Sequence, residues 1–222
     1  MYVISIVSQK GGTGKTTLAL NLAVHSENAG KPALIIDLDP QASAKEWHDS
    51  RKEKSPAVIS AQATRLPELL KEAEAHGAEL VIIDTPARSE APALAAARAA
   101  DLILIPCRPS IVDLRAIALS ADIAALAKTP ALAVISACPY NGTLGDEAEQ
   151  AIKTYQLAVA PARITERRAF IHSLTASQAV MEYEPKGRAA EEIAQLYKLI
   201  ISQLHNITRT QSHTANRKEK TA

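Results

Sequence analysis

The chain has 222 residues, with 25 basic and 24 acidic side chains and a formal net charge of +1, so any basic surface must be local. A hydrophobic fraction of 47% suffices for one buried core, and a charged fraction of 22% excludes a chain disordered throughout. Two cysteines, Cys107 and Cys138, exclude a disulfide scaffold, and no apolar run approaches the ~20 residues of a membrane span. In chain order, Tyr2–Ser8 is a β-branched run that predicts a buried strand, followed by a glycine loop and an alanine-rich helix over about Lys15–Ala29. Ala33–Leu38 predicts the second strand, Ala42–Arg51 a helix, Ala57–Ser60 a short strand and Leu66–His76 a helix. Then come a strand at Leu80–Asp84, a helix at Ala91–Ala100, a strand at Leu102–Pro106 and a helix at Ile111–Lys128, with Ser110 and Asp113 as its N-cap region. Leu132–Ser136 is a strand, Asp146–Tyr155 a helix and Val159 a last short strand; an amphipathic helix follows Gly187 and runs to about His205. Residues 207–222 are polar without apolar period and are expected to form a flexible tail after a single domain over 1–206. Repeated strand–helix units with continuously apolar strands imply an α/β fold: a predominantly parallel sheet with helices on both faces.

The strongest chemical signal is Gln9-Lys10-Gly11-Gly12-Thr13-Gly14-Lys15-Thr16-Thr17, which joins the first strand to the first helix. Glycines let backbone N–H groups converge on phosphate oxygens, and the helix N-terminus adds the positive end of its dipole. Lys15 supplies a point charge to the β- and γ-phosphates, and Thr16 offers a hydroxyl to Mg²⁺. An ordinary phosphate-loop motif has glycine where Gln9 stands; here a second lysine, Lys10, precedes the glycine pair instead. Asp84 ends a buried strand, where a carboxylate without a counter-charge is costly and Mg²⁺ would compensate it. Asp37 and Asp39, two apart on an extended strand, point to the same side. One can help order Mg²⁺ and Lys15 while the other reaches an attacking water; Asp37 is equally well read as a strand-end residue bonded to loop amides. On residues alone this is a Mg²⁺-dependent phosphate-loop NTPase.

KGGTGKTT resembles the deviant Walker A box of the ParA/MinD family of ATPases, and Asp37-Leu38-Asp39-Pro40-Gln41 looks like that family's first switch segment. Asp84-Thr85-Pro86-Ala87 is similar to its Walker B and second switch. Pro106-Cys107-Arg108-Pro109, Ser136-Ala137-Cys138-Pro139 and Tyr183-Glu184-Pro185 through Arg188 are similar to segments of short plasmid-partition ParA proteins, although an asparagine that relatives carry near Ser136 is not found here. The resemblance covers about residues 1–205. It implies ATP/ADP and Mg²⁺ as ligands, with Gly11, Gly12, Thr13, Gly14, Lys15, Thr16 and Thr17 around the phosphates and Pro106, Pro109, Cys138 and Pro139 near the rest of the nucleotide. It places Thr16, Asp37, Asp39 and Asp84 at the metal, makes Asp39 critical for hydrolysis, and sends Lys10 across to the nucleotide of a second subunit, so that ATP drives a two-fold homodimer.

The late basic residues Arg163, Arg167, Arg168, Lys186 and Arg188 stand against Glu166, Glu182 and Glu184. By resemblance they form a surface for nonspecific DNA. The implied function is a cytoplasmic, nucleoid-associated partition ATPase for plasmid or chromosomal DNA, with hydrolysis stimulated by a ParB-like centromere-binding partner. The chain opens directly on its first strand and is expected to lack the helix-turn-helix of longer relatives. A MinD-like membrane-positioning ATPase is the alternative, disfavoured by the polar C-terminus; a cargo-positioning or conjugation accessory ATPase is another. The six histidines have no metal-ligand spacing, and Trp47 and the cysteines are expected to pack in the core.

Overall fold

A computed structural model describes the backbone of residues 1–219 and, within that range, all side chains except those of residues 111, 112 and 210–219. Seven strands form one sheet: β1 (Tyr2–Ile6), β2 (Ala33–Asp37), β3 (Ala57–Ser60), β4 (Leu80–Asp84), β5 (Leu102–Cys107), β6 (Ala131–Ile135) and β7 (Ala158–Val159). Their order is β3-β2-β4-β1-β5-β6-β7, and every pairing is parallel. The β-branched and leucine runs are buried on both sides because crossover helices cover both faces.

Alternate strand residues feed two layers. Ile4, Ile6, Ile82 and Leu104 pack with Leu18 and Leu22 of α1 (Lys15–Asn28), a layer that also takes Ile193, Leu196 and Ile200 of the last helix. On the opposite face lie α3 (Leu66–Ala75), α4 (Glu90–Ala99), α5 (Ile111–Ala127) and α6 (Leu144–Lys153). There Ile103 and Ile105 meet Ile117 and Ile152, while Val81 and Ile83 meet Leu66 and Leu69. Helix α2 (Ser43–Ser50) follows the β2 loop and buries Trp47 in the first layer.

The elements agree with the sequence reading to within a residue or two up to β7. Two helices beyond it carry no sequence expectation: α7 (Arg168–Thr175) and α8 (Val180–Tyr183). The four residues of α8 are too few to display a helical period. Helix α9 runs Arg188–Glu219, well past His205 and through most of the expected tail. No glycine or proline follows Gly187, so nothing in the covalent chain stops propagation once the apolar face of α9 is docked. Residues 220–222, the end of that tail, lie outside the described residues.

Candidate nucleotide site

Parallel register aligns the chemistry at the carboxyl ends of the central strands. Ile6 pairs with Asp84 and Asp37 with Asp84, so the glycine loop after β1 and the acidic residues ending β2 and β4 share one edge of the sheet. Gly12 and Gly14 have φ of 75° and 93°, left-handed values that let the loop wrap without Cβ strain. Gly14 is the N-cap of α1, so the loop amides and the helix N-terminus form one concave surface for an anion.

Lys15 is buried, its Nζ donating to the Lys10 carbonyl at 3.3 Å, and burial lowers its pKa against the opposing charges of Asp84 and Asp39. The Thr16 hydroxyl donates to Asp84 Oδ2 at 2.6 Å. Asp84 Oδ1 is buried with no hydrogen-bond partner, and burial pushes the Asp84 carboxyl up to about 7 despite Thr16 and Lys15. An orphaned carboxylate oxygen beside a hydroxyl, at the foot of a phosphate loop, fits a hard divalent cation such as Mg²⁺. The fit comes from Thr16 and Asp84 with phosphate oxygens, not from an all-protein cage: the described residues contain no cluster of three or more His, Cys, Asp or Glu suited to a metal.

The two β2 carboxylates divide. Asp37 is fully buried; its Oδ1 accepts the Asp39 amide at 3.0 Å, and its Oδ2 accepts Ala44 and Lys45 amides at 3.0 and 3.3 Å. That is the strand-end reading of Asp37: it ties the loop after β2 to the first turn of α2. Asp39, half-buried, accepts the Gln41 amide at 3.0 Å and lies close enough to Lys15 to act on its charge.

The two loop lysines point apart. Lys10 Nζ pairs with Asp113 Oδ2 at 2.7 Å on α5 and remains 31% exposed, while Lys15 faces the buried carboxylates. Ser110 Oγ accepts the Asp113 amide at 3.3 Å, the N-cap expected from the sequence. Beside the loop opens a cavity of about 190 Å³. Thr13, Gly14 and Thr17 form its rim, Leu18, Ile164 and Phe170 its apolar lining, and Arg108, Glu166 and Arg167 its charged wall. Pro106, Pro109, Cys138 and Pro139 do not line it. Pro106 is inside β5 opposite Val134, the Cys138 amide and carbonyl bond to Ile164 and Glu166, and Pro139 is exposed. Ser136 donates its hydroxyl to the Thr13 carbonyl at 2.7 Å and so pins the phosphate loop. Only spatial proximity joins those two residues, so sequence reasoning missed this contact.

Of the late basic residues, Arg163 bonds Asp146 and Glu149 at 2.6 and 2.9 Å, Arg167 bonds Glu192 at 2.7 Å, and Arg188 bonds Glu191 at 3.0 Å. Arg168 and Lys186 are exposed and carry no ion pair among the described residues.

A family model described as the CobQ/CobB/MinD/ParA nucleotide binding domain matches residues 4–218. The chain belongs to this family. It is a ParA/MinD-family ATPase of the positioning and partition type, the family recognised from the phosphate loop and the two switch segments. The maintenance of carboxysome distribution protein A of Gloeobacter kilaueensis is 32% identical over 209 residues, covering 91% of this chain and 93% of the relative. The protein ParA of Rhizobium radiobacter is 31% identical over 115 residues, covering 51% of each chain. Among solved structures, the septum site-determining protein MinD of Pyrococcus horikoshii, complexed with Mg-ADP, superposes with a TM-score of 0.74 at 20% identity, covering 90% of this chain and 95% of that one. It shows the ParA/MinD fold expected from the sequence, with the parallel sheet and helices on both faces. No helix among the described residues is long and apolar enough to cross a membrane.

Proposed function

We propose that the chain is an ATP-driven DNA-partition switch. ATP joins two copies, the dimer binds DNA without sequence preference, and a ParB-like partner stimulates hydrolysis and release. The observation that carries the reading is the pair of loop lysines facing different ways: Lys15 serves the phosphates held by its own loop, and Lys10 has the exposure to reach a second subunit's nucleotide. In this mechanism the loop amides from Gly11 to Thr17 and the α1 N-terminus bind the β- and γ-phosphates, and Lys15 neutralises their charge. Thr16 and Asp84 would hold Mg²⁺, which would supply positive charge to the phosphate oxygens. Asp39 accepts a hydrogen bond from the attacking water and orients it. Asp37 keeps the Asp39 loop in place through its three amide bonds, a positioning role. Loss of the γ-phosphate removes the group that Lys10 of the other subunit holds, and the dimer separates.

The cavity of Leu18, Ile164 and Phe170 accepts the base, with Arg108 at its wall in place of the prolines expected from the sequence. For DNA, Arg168 and Lys186 are the cations with charge to spare, whereas Arg163 and Arg167 already serve internal carboxylates. On this reading the protein works in the cytoplasm on the nucleoid. A second reading, positioning of a protein cargo, draws support from the near full-length match to a carboxysome-distribution protein, since the ParA match covers only half of each chain. Molecular mass in solution with ATP or ADP tests the shared switch. Wild type should become a dimer with ATP, and Lys10→Ala should bind ATP yet stay monomeric; dimerisation of Lys10→Ala equal to wild type overturns the cross-subunit role. Stimulation of hydrolysis by a centromere-binding protein, and not by a cargo protein, separates the two readings.

A further inference from the structure

We infer that the Arg51–Glu182 ion pair is a clasp between helix α2, which follows the Asp39 loop, and the turn after α8, so that the state of the nucleotide site sets the position of Lys186. This deepens the proposed switch and rests on Lys186 belonging to the DNA surface.

Arg51 directly follows α2, and its side chain is 3% exposed. Its Nη2 donates to Glu182 Oε1 at 2.7 Å and its Nη1 to Glu182 Oε2 at 3.1 Å, the bidentate geometry of a guanidinium on a carboxylate. The remaining donors reach the carbonyls of Glu53, Ser55 and Ser177, so every N–H of the guanidinium has a partner inside the fold. Glu53 and Ser55 belong to the chain leaving α2, whereas Ser177 and Glu182 belong to the α7–α8 segment. Those two segments are not packed solid against each other. A cavity of about 310 Å³, lined by Ser50, Lys52, Ser177 and Gln178, opens between them. The ion pair therefore joins two elements that apolar packing does not lock together at that point.

Toward the nucleotide, Asp37 Oδ2 accepts the amides of Ala44 and Lys45, so the first turn of α2 is tied to the strand end that carries Asp39. Trp47 of α2 lies 4.3 Å from the Arg51 guanidinium, and its Nε1 is buried with no partner among the described residues, a cost that a shift of α2 can relieve. Toward the surface, Glu182 Oε2 accepts the Ala179 amide at 2.7 Å. Asn21 accepts the Val180 amide at 2.8 Å and donates to the Thr17 carbonyl at 2.8 Å. The first amides of α8 are thus held by one side chain clasped to α2 and by another bonded to the first turn of α1, directly behind the phosphate loop. A four-residue helix has too few internal bonds to fix its own orientation, so α8 follows these two anchors. Lys186 lies in the turn just after it, which the Gly187 amide closes on the Glu184 carbonyl at 2.9 Å.

Trp47 is the chain's one tryptophan and reports on the clasp directly. The experiment compares wild type, Glu182→Gln, Arg51→Lys and the Arg51→Lys/Glu182→Gln double variant, each confirmed folded by thermal melting. Glutamine keeps an oxygen for the Ala179 amide and lysine keeps the charge, so both spare the fold more than alanine would. With ATP and with ADP, two signals are read: amide hydrogen exchange of residues 179–187, and Trp47 emission before and after an unrelated duplex is added. In wild type, exchange at 179–187 should differ between the ATP and ADP forms. DNA should also shift the Trp47 emission of the ATP form, because coupling between two sites is reciprocal. In all three variants the ATP dimer and the nucleotide-induced change at Trp47 should persist. The exchange difference and the DNA-induced change should disappear, and duplex affinity of the ATP form should fall about tenfold. The double variant should be no weaker than either single one, as for two residues acting as a unit. Identical exchange at 179–187 in the wild-type ATP and ADP forms, or folded variants that keep the wild-type difference and affinity, overturns the clasp. If the variants lose the exchange difference that wild type shows but no form binds duplex, the clasp stands and the DNA reading has failed.

Discussion

Replacing Asp84 with asparagine should stabilise the nucleotide-free protein, and the gain should grow with pH. Burial raises the Asp84 carboxyl from an ordinary 3.8 to about 7, the Thr16 hydrogen bond and the Lys15 charge opposing it and Asp37 and Asp39 adding to it. A carboxyl whose pKa is raised on folding costs nothing below its unfolded value. The cost of ionising it in the fold accumulates as pH rises from about 4 to about 7 and is complete above that. A shift of about three units at about 1.4 kcal/mol each puts the full cost near 4 kcal/mol. Asparagine has no such titration, but its introduction deprives buried Lys15 of the leading charge opposing its desolvation, so the net gain at pH 8 should fall below that figure. For a chain of this length the corresponding rise in Tm is at most on the order of 10 °C. The assay is thermal unfolding of wild type and Asp84→Asn in chelator across pH 5–8. The difference should widen with pH, and Mg²⁺ with ADP should then favour wild type, whose carboxylate regains a counter-charge. A Tm difference that is flat or narrows with pH would refute the assignment of Asp84 as a desolvated carboxylate awaiting a cation.

Lys15→Ala should lose nucleotide affinity in a titration, and Asp39→Ala should form the ATP dimer yet accumulate little phosphate in single-turnover hydrolysis. Arg51→Ala should cost about 3 kcal/mol in urea unfolding, because the Arg51 side chain is 3% exposed, bonds Glu182 through both Nη atoms at 3.1 and 2.7 Å, and lies 4.3 Å over the Trp47 ring. Arg168→Ala with Lys186→Ala should weaken ATP-dependent binding to unrelated duplexes and flatten its salt dependence by about one unit for each phosphate no longer neutralised. Arg163→Ala should leave that slope unchanged, and an altered slope would place Arg163 on DNA despite its carboxylate partners.

Local pattern carried most of the fold. The runs at Tyr2–Ile6, Ala33–Asp37 and Leu80–Asp84 have no polar alternation, which only a sheet covered on both faces explains, and each of the long helices shows its period or its stop signal. The candidate site was legible wherever its parts are contiguous, as in the stretch from Lys10 to Thr17, or end a strand, as Asp84 does. Helix α8 was not legible, because a single turn presents no repeat to read. The extent of α9 escaped for another reason: a polar composition reads as irregular backbone, whereas a docked apolar face carries the helix onward.

The amino-acid sequence by itself determined that this protein is an α/β nucleotide-binding protein of the ParA/MinD family, since phosphate recognition is done by a short loop whose glycines and lysines must be neighbours along the chain. Only the tertiary structure decided what its charges do. Lys10 meets Asp113, 103 positions away, and Arg51 meets Glu182, 131 positions away. Ser136 secures Thr13 across 123 positions, and the arginines at 163 and 167 turn out to be occupied by carboxylates of α6 and α9. Spacing cannot reveal such partners, because strand order and register bring them together, and a charge counted from composition looks the same whether it faces solvent or is already neutralised inside the fold.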